Sequence, residues 1–182
     1  EVNCRALSGP SAIIARMRWI GISGSWGASS SELVNDVQLS VRNVMEAGNG
    51  IVTGGALGVD QLATTEALRH DPEAKRIKII IPSSLEIYAA HYRNRASEDV
   101  ITIEQAEALI GLLTIIQNKQ SLTEMTYTSL NEKSYYARNT EVLNQSDELL
   151  VFQVNGSAGT QDAIDKAREL GMPVQVRQYE IR

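Results

Sequence analysis

This chain is poor in the residues that staple or metallate a fold. Its 182 residues contain one cysteine, Cys4, so no disulfide closes within the chain and no cysteine-clustered metal site can form. Two histidines, His70 and His91, far apart in sequence, give zinc little to build on, and no metal is expected. No apolar run is long enough to cross a bilayer, and no secretory leader pattern is present. The cytoplasm is therefore the expected compartment, without a membrane partner. Basic charge is short as well: 17 Lys and Arg stand against 22 Asp and Glu, for a net charge of -5. That excludes a generally basic nucleic-acid-binding surface and leaves room for a local basic pocket, so nucleic acid is not an expected partner.

What is present is the composition of an ordinary globule, 43% hydrophobic and 21% charged, in a chain of one-domain length. Residues 1–15 lack a clear period and contain the turn Ser8-Gly9-Pro10, so they read as an arm; 16–182 read as a single domain. Trp19 to Ser23 is a short apolar strand. Ser29-Ser30-Ser31-Glu32 matches a capping box with Ser29 as N-cap, opening a helix whose apolar side carries Leu33, Val37, Val41 and Met45. Glycines 48 and 50 close it. Strands are expected at 51–53, 76–82, 148–152 and 173–176, and helices at 59–69, 84–96, 103–118, 133–144 and 159–170. Strands alternating with helices predict an α/β fold: a Rossmann-like, doubly wound parallel sheet with helices on both faces.

Two glycine-rich turns carry most of the functional signal. Gly54-Gly55-Ala56-Leu57-Gly58-Val59-Asp60 and Asn155-Gly156-Ser157-Ala158-Gly159-Thr160 each follow a strand pattern and precede a helix pattern. Such turns aim backbone N–H groups and a helix N-terminus at one point, which attracts phosphate. In a parallel sheet they lie at the strand carboxyl ends, where ligands bind, together with Gly24-Ser25. The first turn has neither the dinucleotide fingerprint nor a P-loop lysine. Tight packing would also explain one glycine turn, but two at one sheet edge favour binding.

Individual residues keep two readings. Asp60 caps its helix, or hydrogen-bonds a ribose or base. Thr160 is an N-cap, a phosphate ligand, or both. Arg138, beside Asn139, suits phosphate through its fork, or pairs with a nearby acid. Tyr92-Arg93-Asn94-Arg95 reads as a solvated helix face, with the pocket as the alternative. Tyr135 and Tyr136 offer rings for a base, and helix packing accounts equally for one of them.

In order, Gly24-Ser25, Thr53-Gly54-Gly55-Ala56-Leu57-Gly58-Val59-Asp60, Arg138-Asn139 and Gly156 to Thr160 resemble the motifs of the SLOG superfamily, which unites the DNA-processing protein A family and the Lonely-guy family. The resemblance runs from about Arg18 to Val176 and is closest to the DNA-processing pattern. It implies a Rossmann-like fold, a nucleotide-like small-molecule ligand without a further cofactor, and a homodimer or higher homo-oligomer. It places Gly24, Ser25, Gly54, Gly55, Gly58, Asp60, Arg138, Asn139, Gly156, Ser157, Gly159 and Thr160 at the ligand. The family's arginine after the Gly-Ser turn is replaced by Trp26, which with the acidic balance argues against single-stranded DNA. Lonely-guy enzymes cleave the N-glycosidic bond of a nucleoside monophosphate with a glutamate that aligns here with Ala163. Asp162, one residue early, is turned about 100° away on a helix. Asp162 and Asp60 are the catalytic candidates if cleavage occurs.

Overall fold

The computed structural model describes residues 16–27 and 29–181; the expected arm at 1–15, with Cys4, lies outside the described residues. The elements run β1 (Trp19–Gly24), α1 (Ser31–Glu46), β2 (Gly50–Thr53), α2 (Val59–His70), β3 (Ile77–Ile81), α3 (Leu85–Ser97), α4 (Ile103–Asn118), β4 (Leu122–Glu124), α5 (Glu132–Asn144), β5 (Glu148–Val154), α6 (Ala158–Glu169) and β6 (Val174–Tyr179). The six strands form one sheet in the order β4-β3-β2-β1-β5-β6, and every pairing is parallel. The chain steps outward from β1 to β4, then returns to place β5 on the other side of β1. The strand order therefore reverses at β1, where a crevice opens at the carboxyl ends.

Alternation along the strands sorts the core into two layers. Ile20, Ile22, Ile51, Ile77, Ile79, Ile81, Leu150 and Phe152 face one way, against Leu33, Val37 and Val41 of α1, Ala63 and Ala67 of α2, Tyr88 of α3, and Leu109 and Leu113 of α4. Leu149 and Val151 face the other way, against Leu143 of α5 and Ala163, Ile164 and Ala167 of α6. Val52 and Ile80 meet Val142 of α5 on that same side. Four helices thus cover one face and two the other, the Rossmann-like α/β arrangement that the sequence implied.

Local details depart from the sequence reading. Ser30, not Ser29, caps α1: its backbone is extended and its hydroxyl accepts from Leu33 N at 3.2 Å. With the cap one residue later, Leu33 occupies the position that Glu32 would need to close a capping box, and Glu32 instead lies in the first turn. β5 continues two residues past Phe152 to Val154 because Gln153 is buried and paired, its amide donating to Gln161 at 3.0 Å. The edge strand β4, three residues long, was not expected. Among the described residues no helix is long and apolar enough to cross a membrane, and no group of three or more acidic, histidine or cysteine side chains could hold a metal ion.

Candidate functional site

The carboxyl ends of β1, β2 and β5 open into a cavity of about 570 Å³, within the usual range for small-molecule sites. Gly24, Ser25, Gly54, Asp60, Arg138, Asn139, Ser157, Gly159 and Thr160 line it. Gly55, Gly58 and Gly156 do not. The two glycine turns bound one cavity but are not neighbours: β1 runs between their strands, and its Gly24-Ser25 turn separates them.

The two turns are also chemically unlike. The N-terminus of α2 is occupied by protein, since Val59 N–H donates to Ser25 O at 3.4 Å. Gly58, at φ 77° and ψ -123°, holds a backbone that side-chain-bearing residues rarely adopt, and a Cβ there would stand 2.6 Å from Ser25 O. Its glycine serves the close approach of the β1 turn. Gly55 is likewise closed in, with a Cβ position 2.8 Å from Ile81. Asp60 does not cap α2 in the expected way. Its Oδ2 accepts from Gly54 N (3.1 Å) and Ala56 N (3.3 Å), fixing the turn that precedes the helix.

The N-terminus of α6 is open by comparison. Ser157 is its N-cap residue but makes no side-chain capping bond, and Thr160 is not the cap. Ser157 Oγ instead donates to Thr160 Oγ1 at 2.7 Å and pairs with Ser25 Oγ at 2.8 Å. Ser25 Oγ in turn accepts from Val154 N at 2.9 Å. Ser25, Ser157 and Thr160 thus form one chain of hydroxyls along the start of α6. Ala158, Gly159 and Thr160 supply the first-turn N–H groups, which an α-helix leaves without intrahelical partners.

Arg138 comes from the middle of α5 and is buried beneath the β2 turn. Its Nη1 donates to Gly54 O and lies 3.5 Å from Asp60 Oδ2, with side-chain exposures of only 9% and 8% for the pair. A Cβ on Gly54 would fall inside the guanidinium, so this glycine is the seat of Arg138. Arg138 Nε is buried and has no hydrogen-bond partner. Burial raises the Asp60 pKa from 3.8, opposed by the Arg138 charge and the Ala56 and Gly54 N–H groups. Asn139 bridges α5 to α6, donating to Gly159 O at 3.2 Å and Asp162 Oδ2 at 3.0 Å.

The far wall is aromatic: Tyr135, one of the two rings offered for a base, and Tyr92 and Arg95 of α3, for which the pocket was the alternative, stand there with His91, Ile101 and Leu130, which the sequence reading did not place at the ligand. The supposed solvated face 92–95 is split. Tyr92 and Arg95 line the cavity, whereas Arg93 pairs outward with Glu107 at 2.7 Å. Tyr135 Oη lies 3.4 Å from His91 Nε2. Burial and the Arg95 charge lower the His91 pKa from 6.5, with Glu98 acting weakly the other way.

Of the two carboxylate candidates, only Asp60 lines the cavity. Asp162 is engaged by Lys166 Nζ at 2.9 Å and by Asn139. Ala163 stands on the cavity wall in its place, as the helical register required.

Residues 7–182 match the sequence profile of the DNA recombination-mediator protein A family. The chain belongs to that family. The motif resemblance read from the sequence is thereby borne out. No curated protein matches the chain. Solved structures share its fold. DNA processing protein A from Helicobacter pylori, described for its single-stranded DNA binding mode, is 20% identical with a TM-score of 0.63, over 87% of this chain and 64% of that one. TM1055, a structural-genomics target, is 20% identical with a TM-score of 0.50, over 87% and 72%. DNA processing protein A from Streptococcus pneumoniae is 17% identical with a TM-score of 0.49, over 87% and 58%. This member of the family spans less than two thirds of the length of the Helicobacter pylori protein.

Proposed function

We propose that the cavity binds a phosphorylated nucleotide, with its phosphate between Arg138 and the N-terminus of α6. One observation carries this reading. Arg138, a buried arginine whose Nε has no partner in the protein, lines a cavity that also receives helix N–H groups without a side-chain cap. A phosphate there meets the Arg138 charge, and hydrogen bonds to an ionised group are the stronger class. Ser25, Ser157 and Thr160 add hydroxyls, and the helix dipole adds partial positive charge. The acidic net charge of the chain does not oppose this, because the cations are local. Cleavage of the nucleotide is not part of the proposal: Asp162 is occupied by Lys166 and Asn139, and Ala163 offers the cavity only a methyl group.

A second reading has the nucleotide as one unit of single-stranded DNA. Family membership supports it, as does the DNA-binding Helicobacter pylori relative. Titration calorimetry with AMP, adenosine and a short single-stranded oligodeoxyadenylate tests both. AMP binding well above adenosine supports the first reading. Oligonucleotide binding that far exceeds AMP, with an affinity falling steeply with salt, supports the second. No binding of any of the three overturns both. Chromatography of the AMP mixture checks for released adenine.

A further inference from the structure

We propose that Trp26, backed by Arg95, is the stacking platform for the nucleobase at the mouth of this cavity. The inference rests on the nucleotide reading above and names the part of the ligand that Trp26 takes.

Trp26 directly follows the phosphate-side residue Ser25 and lines the same cavity. It is 52% exposed and belongs to none of the buried hydrophobic clusters of the described residues. Its backbone is nevertheless held. Ser25 N donates to Phe152 O at 3.2 Å, Ser25 O accepts from Val59 N, and the missing Cβ of Gly58 admits the Trp26 Cα, 2.8 Å from where that Cβ would stand. The fold thus fixes the main chain and leaves the indole outward. Arg95 lies over the ring, its guanidinium carbon 5.8 Å from the centroid, and pairs with no carboxylate among the described residues. A cation on one side of an indole supports the ring and adds positive charge where an anionic ligand enters.

The other aromatic side chains of the cavity are already engaged. Tyr92 packs edge-on against buried Tyr88 at 5.0 Å. Tyr135 carries the Arg138 guanidinium 5.7 Å over its ring, and its hydroxyl faces His91. Tyr136 donates to Glu132 at 2.7 Å and has Lys166 Nζ 5.1 Å over its ring. Trp26 alone among the rings lining the cavity is exposed, and a base presents the flat π surface that fits it. The same chemistry serves a free nucleotide and a nucleotide within a strand.

The chain contains two tryptophans, which makes the test direct. Trp19 begins β1, at the opposite end of that strand from the cavity, beneath Lys78 Nζ at 4.0 Å. AMP is expected to quench the fluorescence of the wild type and of Trp19→Phe, and to leave Trp26→Phe silent. By calorimetry Trp26→Phe should keep most of the AMP affinity, because it keeps a ring. Trp26→Ala should weaken AMP roughly five- to hundredfold, the factor for losing one base–aromatic stack, and leave ribose 5-phosphate unchanged. Arg95→Gln should weaken AMP less. Repeating the series with short oligodeoxyadenylate distinguishes a free nucleotide from a strand as the source of the base. If Trp26→Ala binds AMP as the wild type does, or loses AMP and ribose 5-phosphate equally, the platform is wrong while the phosphate site stands. If neither AMP nor the oligonucleotide binds the wild type at all, the nucleotide reading itself fails. The unfolding midpoint of Trp26→Ala should fall only slightly, since the ring is half exposed and belongs to no core cluster.

Discussion

The guanidinium of Arg138 occupies the space that a side chain on Gly54 would need. Sequence reading takes this glycine for a backbone that touches ligand; the structure makes it the seat of the arginine. Gly54→Ala therefore displaces Arg138 from Gly54 O and from Asp60. Forcing a methyl into so full a space costs about 1–3 kcal/mol. Urea unfolding should show that loss, together with weaker AMP binding.

Removing the arginine itself strands a buried carboxylate. Breaking one side of a buried ion pair costs about 3–5 kcal/mol, and Asp60 keeps its Gly54 and Ala56 N–H bonds, which places Arg138→Ala toward the lower end. The pH dependence has a definite sign. The folded-state pKa of Asp60 is raised, so the folded protein binds that proton more tightly than the unfolded chain, and stability falls as pH rises from 3.8 through the folded value. Arg138→Ala raises that pKa further and steepens the fall. The double variant Arg138→Met with Asp60→Asn should recover much of the stability but not AMP binding, which a double-mutant cycle by urea unfolding and calorimetry would show.

Gly159 separates binding from folding. A Cβ there meets nothing within 4 Å, so Gly159→Leu should unfold at the wild-type midpoint. Its side chain would cover the N–H groups at the start of α6. Calorimetry should then find AMP binding lost with the melting curve unchanged.

His91 gives a second pH signature. Its folded-state pKa lies below 6.5, so the stability it contributes is present above pH 6.5 and is lost as pH falls through the folded value. His91→Gln removes this slope. Melting temperatures between about pH 5 and pH 7 should decline less on acidification in the variant than in the wild type.

The fold was legible because its signals are local. Alternating strand and helix periods, and glycine at strand ends, fix a doubly wound sheet before any contact is known. Helix α4 was read to the residue because Ala106, Leu109 and Leu113 repeat on one face; the Thr102–Gln105 capping box that starts it was found in the structure. The strand β4 was not legible: Leu122-Thr123-Glu124 is too short to show a period, and its pairing with β3 alone makes it a strand. The near side of the site was visible for the same local reason, in Gly54, Ser157 and Gly159. The far side was not. Tyr92 and Arg95 reach the cavity from α3 only after the sheet is assembled, and the split between them and Arg93 follows a helical angle that one basic cluster does not reveal. Nor could spacing show that Asp60 serves a turn and an arginine rather than a helix end.

The central claim is that phosphate sits between Arg138 and the start of α6. Amide and arginine-side-chain ¹⁵N NMR spectra during titration with AMP, beside a parallel titration with adenosine, test it most directly. The account predicts that the amides of Ala158, Gly159 and Thr160 and the side-chain N–H groups of Arg138 move on adding AMP, and hardly move with adenosine. Equal movement with both ligands, or AMP-induced shifts confined to residues away from α6 and Arg138, would contradict it.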